Sequence, residues 1–437
     1  MLSEARLSSA SLADLKSWFT QGDITPTDYL EFCLAEIERL NPKINAVLDV
    51  YTDTAREAAK ASTIRYQNGT PKSVIDGMPI GVKANISVRG YVCHAGIKAY
   101  EGNIPSHDAD IVHKIRRAGG IILANLNMEE GALGAQTDNP WFGKTYNPMK
   151  DGYTAGGSSG GSAAAVSAGM MPAALGTDTM GSVRIPSSYC GLVGFKPSPG
   201  TYSTDGVLPL STTLDTVGTH TRTVTDAVMI YQAVTGFKGT LEPRAARTLA
   251  PFDMRESEVD LDIITAFDAC LKSQSAALTS PVLSGYDYGK QRRAGLIVSE
   301  VEGAKIHASK NFETSDGFSD HFKSMLAYGA KQSDAKIDDA YARIAQASDL
   351  AETLFRSASA LIAPTAPQTA FKFGDPVPAN QADFSAFANF AKLPAISLPM
   401  GVDSSDLPMG IQLMSKAGRD RALLGMALAL ELELAGS

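Results

Sequence analysis

The chain has 437 residues, of which 44% are hydrophobic and 20% are charged, an ordinary composition for a globular protein. This length can bury a large core, either in one α/β domain or in two or three smaller ones. The formal net charge is −8 and no basic run occurs, which argues against nucleic acid and anionic membrane surfaces as partners.

Cysteine usage and the N-terminal sequence indicate the cellular compartment. The four cysteines lie far apart, with no C-x-x-C pair and no histidine at metal-ligand spacing, which predicts reduced thiols and no metal site. The opening sequence MLSEARLSSASLADL lacks the apolar core of a signal peptide, and no run of about 18 apolar residues is available to span a bilayer. We therefore expect a cytoplasmic protein.

The first 70 residues predict helices without chemistry of their own. Residues 11–14 have a capping-box pattern, with an apolar face behind it. A second helix is expected to begin at Thr25 and to stop before Pro42, with Cys33 in its buried face. A strand over 44–51 and a polar helix follow. We expect this segment to wrap around the rest of the chain.

Lys83, in the sequence GMPIGVKANISVRG, is the first position that suggests chemistry. Apolar residues at 80, 82 and 86 predict a strand, in which a lysine either reaches the surface or is buried for a purpose. Taken alone, the surface position is the simpler interpretation. Because a serine-rich stretch follows and no histidine is obviously placed beside it, Lys83 becomes a candidate base.

From residue 107 the sequence predicts a helix, then a short buried strand at 121–124, then a helix, which is the rhythm of an open α/β sheet. His107 and His113 are expected on exposed helix surface, without a catalytic role. The segment 131–147 is rich in glycine, asparagine and threonine and carries Trp141. We expect it to be a loop that lines a pocket.

The stretch from Thr154 to Pro197 dominates the sequence. It holds two glycine-serine clusters, GGSSGGS and GTDTMGS, on either side of small apolar residues. Glycine loses more backbone freedom on folding than any other residue, so this density indicates positive φ or close approach to another group. We infer that the group is a reacting carbonyl, and we single out Ser158 and Ser182.

Three other interpretations of these glycines compete. A phosphate-binding loop requires a lysine that neither cluster has, and a flexible linker does not fit the apolar residues that follow at once. Gly156–Gly160 also spells G-x-S-x-G, the nucleophile elbow of α/β-hydrolases, with Ser158 as nucleophile. That elbow should follow a hydrophobic strand, which is lacking, and needs a later histidine. The later histidines are His220, His307 and His321, and we expect the last two to be solvated or packed.

Three motifs in order, VKANI with Lys83, GGSSGGS with Ser158 and GTDTMGSVRIP with Ser182, resemble the amidase signature family. The similarity runs from about residue 75 to the C-terminus, except for roughly 236–303. It implies a triad in which Ser182 is the nucleophile, Ser158 is the bridging serine in cis linkage and Lys83 is the base. It also implies an α/β fold with a central, mostly mixed, twisted sheet flanked by helices on both sides.

No internal repeat and no linker divides the chain, so we expect one domain over 1–437. Its parts are an N-terminal helical wrap (1–70), a signature core (71–235), a divergent segment (236–303) and a C-terminal part of the core (304–437). The divergent segment is where a substrate-specific lobe or surface excursion would lie.

The chemistry of such a triad follows from its residue types. A free lysine is almost fully charged at pH 7, so Lys83 must be desolvated to act as a base. Neutral Lys83 would take a proton from Ser158, which takes one from Ser182, whose oxygen attacks the substrate carbonyl. The relay then runs backwards to protonate the leaving amine. No cofactor or metal is needed.

The turn around Ser182 supplies candidate donors for an oxyanion hole. These are the backbone N–H groups of Thr179, Met180, Gly181 and Ser182. Asp178 and Arg184 bracket the turn, and we expect them to pair and to pin its two ends. Cys190 begins a buried apolar run and is predicted to be a core thiol, not a nucleophile.

Two positions depart from the family pattern. Met180-Gly181 stands where the family has Gly-Gly, so either that position needs no unusual backbone or the oxyanion hole is altered. Lys83-Ala84-Asn85 stands where the family often has Lys-Asp-Asn, which removes an acidic neighbour of the lysine.

The sequence thus predicts an amidohydrolase that cleaves a small-molecule amide through an acyl-enzyme, with no nucleic acid or membrane partner. The oligomeric state is open, with a homodimer as one option. Three alternatives remain: the glutamine-hydrolysing component of a tRNA-dependent amidotransferase, an esterase of the α/β-hydrolase type, and a binding scaffold with a disabled site. Met180 motivates the last of these.

Overall fold

The structure is a computed structural model that describes residues 2–436. Its helices are α1 (Glu4–Ser8), α2 (Leu12–Gln21), α3 (Pro26–Ile44), α4 (Thr52–Gln67), α5 (Asp110–Arg117), α6 (Gly160–Ser167), α7 (Arg184–Tyr189), α8 (Val224–Thr235), α9 (Leu261–Ser273), α10 (Tyr288–His307), α11 (Asp320–Ala330), α12 (Asp334–Leu354), α13 (Ala386–Phe390) and α14 (Asp420–Ala435). Its strands are β1 (Val47–Val50), β2 (Pro79–Lys83), β3 (Ile121–Leu126), β4 (Asp138–Asn139), β5 (Gly143–Lys144), β6 (Ala173–Asp178), β7 (Val193–Lys196), β8 (Thr216–Thr221), β9 (Thr248–Pro251), β10 (Ala277–Leu278), β11 (Ala360–Pro364), β12 (Ala395–Val402) and β13 (Pro408–Met414).

One mixed sheet organises the described chain. Its strand order is β1-β3-β2-β6-β8-β7-β12-β13-β11-β9-β10. β2 runs parallel to β3 and β6, and β9 runs parallel to β11 and β10. The strands between these groups pair antiparallel, as do β1 and β3. The predicted α/β fold with a mixed central sheet is confirmed.

Both faces of this sheet are covered. Along β11, Ala360 and Ile362 belong to one buried apolar cluster, and Leu361 and Ala363 belong to another. Successive side chains of a strand point to opposite faces, so the two clusters are the two cores. This explains why the strands read as continuous apolar runs in the sequence.

The N-terminal helices begin where the caps predict. Ser11 and Thr25 each accept from the backbone N–H three residues later, and each capping box is complete. Cys33 is buried, as predicted. The predicted stop before Pro42 is wrong, because α3 continues to Ile44 and ends at Asn45 in a left-handed conformation. A proline in the last turn removes only one backbone donor, so the helix tolerates it there.

The divergent segment 236–303 contributes to the sheet. Within it, β9 lies between β11 and β10, and α10 packs against the loop that carries Ser182. No helix within residues 2–436 combines the length and apolar character that crossing a membrane requires.

Candidate active site

Lys83 is the last residue of β2 and is fully buried. Its Nζ lies 2.7 Å from Ser158 Oγ and 2.8 Å from Thr177 Oγ1. Burial lowers the pKa of Lys83 to about 7, although the carboxylates of Asp215 and Asp178 act in the opposite direction. A large fraction of this amine is therefore uncharged at neutral pH and can accept a proton.

Thr177 fixes the position of the lysine. Its hydroxyl, on β6, also lies 3.2 Å from Asn85 Nδ2, which donates to it. A neutral amine has two N–H donors and one lone pair. With one N–H directed to Thr177, Lys83 keeps its lone pair for Ser158. Ala84 points into a separate apolar cluster with Ala95, so its departure from the family pattern leaves the lysine contacts unchanged.

Ser158 lies in a close-packed loop just before α6. The Gly157–Ser158 peptide bond is cis, and Ser158 is fully buried. Its carbonyl accepts from the Glu129 N–H at 3.1 Å. A Cβ at Gly157 would lie 2.8 Å from the backbone nitrogen of Gln136, so this glycine permits two chain segments to touch.

Ser182 is 9% exposed, whereas Lys83 and Ser158 are 0% exposed. It is therefore the least buried of the three residues. Its hydroxyl forms no hydrogen bond within residues 2–436. The direct contact in the structure is between Lys83 and Ser158, and Ser182 follows Thr177 by five residues along the adjacent loop.

The backbone before Ser182 explains the Met-Gly pair. Gly181 has φ +131°, and a Cβ there would lie 2.2 Å from Ser385 Oγ, so only glycine fits. Met180 does not have positive φ. A Cβ on Gly295 would lie 2.5 Å from the Met180 sulfur, which is too close. The absence of a side chain at this position of α10 therefore leaves space for the methionine. Met180 thus requires no unusual backbone.

Asp178 and Arg184 form a buried ion pair across the Ser182 turn. The Arg184 guanidinium donates to both carboxylate oxygens, at 2.9 and 3.0 Å, and both side chains are fully buried. Arg184 also donates to Asn389 Oδ1 at 2.7 Å and to Gln412 Oε1 at 2.9 Å. Although burial by itself raises the pKa of Asp178, the charge and hydrogen bonds of Arg184 lower it to about 2.

Replacement of Asp178 by asparagine is expected to lower the free energy of unfolding by about 3–5 kcal/mol, because it leaves the buried Arg184 charge unpaired. Denaturant unfolding followed by circular dichroism measures this loss. The matched control is Glu31→Gln, which breaks an ion pair with Arg56 whose two side chains are each 45% exposed. The control should change stability very little. Equal changes in the two variants would contradict the assignment.

The Asp178 carboxylate also bears on the oxyanion hole. Gly181 donates its N–H to Asp178 Oδ1 at 2.7 Å, so this candidate donor is already engaged. The other three N–H groups, of Thr179, Met180 and Ser182, form no hydrogen bond within the described chain. These three remain the candidates for holding an oxyanion.

Two carboxylates near the site were missed by sequence reasoning. Asp215 accepts from Thr179 Oγ1 at 2.6 Å and from two backbone N–H groups, and burial raises its pKa. Glu129 accepts from the N–H groups of Gln136 and Thr137 at 3.0 and 2.5 Å, and burial raises its pKa to about 7. Asp215 thus holds its loop to Thr179, and Glu129 holds the loop of residues 136–137.

Within the described residues, no histidine forms a hydrogen bond to Lys83, Ser158 or Ser182. His307 is buried beside the Tyr100 hydroxyl, at 3.0 Å, and His220 Nδ1 lies 2.8 Å from Ser187 Oγ. Burial lowers the pKa of His220 to about 3 and that of His307 to about 4. His107, His113 and His321 are exposed. Within residues 2–436 no histidine bonds to Ser158, so the nucleophile elbow gains no support. Cys190 is buried with its pKa raised by burial, as expected of a core thiol.

Comparison with known proteins places the chain in a family. The family model described as Amidase matches residues 28–257 and 244–424. The chain is 33% identical over 460 positions to the A subunit of the glutamyl-tRNA(Gln) amidotransferase of Anaeromyxobacter dehalogenans, covering 94% of this chain and 93% of the relative. It is 30% identical to the protein of the same name from Leptospira interrogans, with 96% of each chain covered.

Solved structures share the fold. A crystal structure of an amidase superposes with a TM-score of 0.89 at 29% identity, covering 97% of this chain and 99% of the other. A bacterial aryl acylamidase of the amidase signature enzymes has the same fold, with a TM-score of 0.87 at 22% identity over 97% and 96% of the two chains. Since the family model covers most of its length, this chain belongs to the amidase signature family of hydrolases.

Proposed function

We propose that this protein hydrolyses the C–N bond of a small-molecule amide through an acyl-enzyme on Ser182, with Ser158 and Lys83 as the proton relay. The observation that carries the proposal is the 2.7 Å contact between Ser158 Oγ and a fully buried lysine whose pKa lies near 7. A base poised near the working pH is what general base catalysis requires.

The steps balance with residues of this chain alone. Ser182 passes its proton to Ser158, which passes its own to neutral Lys83, while Ser182 Oγ bonds to the carbonyl carbon. The N–H groups of Thr179, Met180 and Ser182 are the donors that would stabilise the negative charge developing on the carbonyl oxygen. Losing one such donor typically costs about 3–4 kcal/mol in the transition state. The C–N bond then breaks as the relay returns a proton to the leaving nitrogen, and water releases the acyl group by the same route.

Thr177 has a positioning role in this proposal. Replacement by valine keeps the shape but removes the acceptor for Lys83 Nζ. We expect kcat to fall roughly 10- to 100-fold, as misplacing a catalytic group commonly does, and the pH–rate profile to shift because the lysine loses a hydrogen bond. The measurement is kcat as a function of pH.

Thr177→Ser is the matched control, because it keeps the hydroxyl and loses only a methyl group. It should retain most of the activity and the wild-type pH profile. A serine variant as impaired as the valine variant would show that packing, not the hydrogen bond, is what Thr177 provides.

A second candidate function is supported by the curated relatives. Those proteins are named as the A subunit of a glutamyl-tRNA(Gln) amidotransferase and align over nearly their full length. By analogy, the amide would be that of glutamine and the chain would work with partner subunits. The triad chemistry is the same in both cases, so the two candidates differ only in substrate and assembly.

An amide panel separates the two candidates. Ammonia or amine release is measured for aliphatic, aromatic and peptidic amides and for glutamine, with wild type and Ser182→Ala. We expect the isolated chain to turn over at least one amide other than glutamine, and the variant to turn over none. Ammonia release from glutamine alone, or only with partner subunits present, would favour the second candidate and overturn the small-molecule assignment.

A further inference from the structure

A groove of about 810 Å³ lies where the segment between α8 and β9 meets the start of α14. Its lining residues come from 237–247, 355–359 and 415–426. Lys83, Ser158 and Ser182 are not among them, so the groove is separate from the catalytic residues. We call it the Phe237 groove.

The Phe237 groove is strongly basic in an acidic chain. Five exposed cations line it: Arg244, Arg247, Lys416, Arg419 and Arg421. None of the five forms an ion pair within residues 2–436, and Glu242 is the one acidic side chain of the described chain that lines the groove. Unpaired charge of one sign in a concave surface focuses the field and attracts the opposite charge.

An aromatic ring stands at one end of the groove. Phe237 is anchored on its inner side against the core, and the Arg421 guanidinium lies 5.1 Å from its ring centroid. Phe237 and Arg421 both line the groove, so an aromatic ring and a guanidinium lie side by side there. Nucleic-acid bases stack on such aromatic and guanidinium planes.

Phe237 also lines a second groove of about 590 Å³. The cations there include Lys72, Arg117 and Lys238, none of which forms an ion pair within the described chain, whereas Lys114 pairs with Asp110 at 2.7 Å. Positive charge therefore continues on both sides of the ring. A ligand that runs through both grooves must be an extended polyanion.

We propose that the two grooves bind single-stranded RNA, with phosphates on the arginines and a base stacked on the Phe237–Arg421 pair. A positively charged groove interrupted by an aromatic platform is the arrangement that binds single strands without sequence preference. Four of the five cations in the Phe237 groove are arginines, whose planar fork matches phosphate oxygens. An acidic peptide satisfies the charges but has no base to place on Phe237 and Arg421.

This surface is assembled from distant parts of the chain. Its cations lie near residues 72, 117, 238–247 and 416–421, so no basic run appears in the sequence. The expectation of no nucleic-acid partner rested on the absence of such a run and on the net charge.

Fluorescence anisotropy with a labelled single-stranded RNA of about 12 nucleotides tests the proposal. The slope of log affinity against log salt should be about −0.7 per phosphate neutralised, so Arg244→Gln/Arg247→Gln should reduce its magnitude by about 1.4. The matched control Lys16→Gln/Lys60→Gln removes two exposed charges elsewhere and should leave affinity and slope unchanged. Phe237→Leu, which keeps apolar bulk for the core, should weaken binding roughly 5- to 150-fold.

Several results would overturn the proposal. Wild type that fails to bind RNA at about 0.05 M salt, where phosphate contacts are strongest, is the first. Equal losses in the groove and control variants would assign the binding to general charge. Tighter binding of a glutamate-rich peptide of the same length would assign the grooves to a protein partner. Amide hydrolysis, measured on the same variants, should be unchanged, so failure here is distinguishable from failure of the proposed function.

Discussion

Replacement of Ser182 by alanine is expected to lower kcat for amide hydrolysis by roughly 10⁵- to 10⁶-fold, the loss seen when a serine nucleophile is removed from an acyl-transfer site. The reason is that Ser182 Oγ is the atom that bonds to the carbonyl carbon in the proposed mechanism, and Ser182 is the least buried of the three residues. Steady-state release of ammonia or amine measures the loss.

Ser158→Ala provides the contrast. It removes the relay but leaves the nucleophile, so the expected loss is smaller, roughly 10²- to 10⁴-fold, as for a general base. The α/β-hydrolase interpretation predicts the reverse order, with Ser158 as the nucleophile. A larger loss in Ser158→Ala than in Ser182→Ala would therefore contradict our assignment.

Replacement of Lys83 by methionine is expected to lower kcat/KM roughly 10²- to 10⁴-fold by removing the base without opening a cavity. The pH dependence gives a second readout. The active form of Lys83 is the neutral amine, so in wild type the rate should rise with pH through an apparent pKa of about 7 and level off above it. In Lys83→Met this rising limb should disappear.

The chain offers a matched control in Lys196. It is also fully buried, and burial lowers its pKa to about 7 as well, but its Nζ donates to the Pro197 carbonyl at 3.0 Å. Lys196→Met should therefore keep the rising limb near pH 7. A limb that vanishes in Lys196→Met and persists in Lys83→Met would assign the rate-controlling proton to the wrong lysine.

The sequence was most informative about the protein family and the central sheet. The three motifs around Lys83, Ser158 and Ser182 carried the resemblance to the amidase signature family, and the resemblance implied the mixed sheet; both are confirmed. The short strands β8, β9 and β13 were not predicted individually. Their residues are buried on both faces, so no alternation of polar and apolar side chains reveals them.

The supporting residues of the site were harder to predict. Thr177 reads as an ordinary strand threonine, and Asp215 and Glu129 read as loop acids. Their importance depends on which segments of the chain are in contact. Thr177 and Lys83 are 94 residues apart in the sequence, and Asp215 and Thr179 are 36 residues apart. A single sequence carries no signal for such contacts.

The Met180-Gly181 departure also needed the structure. Sequence reasoning left open whether Met180 occupies a backbone position that only glycine tolerates. The position that requires glycine is Gly181, and the space for the Met180 side chain is provided by Gly295, 115 residues later in the chain. Met180 therefore gives no reason to interpret the protein as a binding scaffold with a disabled site.

The central claim is that a histidine-free relay activates Ser182 to form an acyl-enzyme. The most direct measurement is covalent labelling with a fluorophosphonate, followed by peptide mapping by mass spectrometry. We predict one label on Ser182 in wild type, and strongly slowed labelling in Lys83→Met. A label on Ser158, or no label on a folded wild-type protein, would contradict the account.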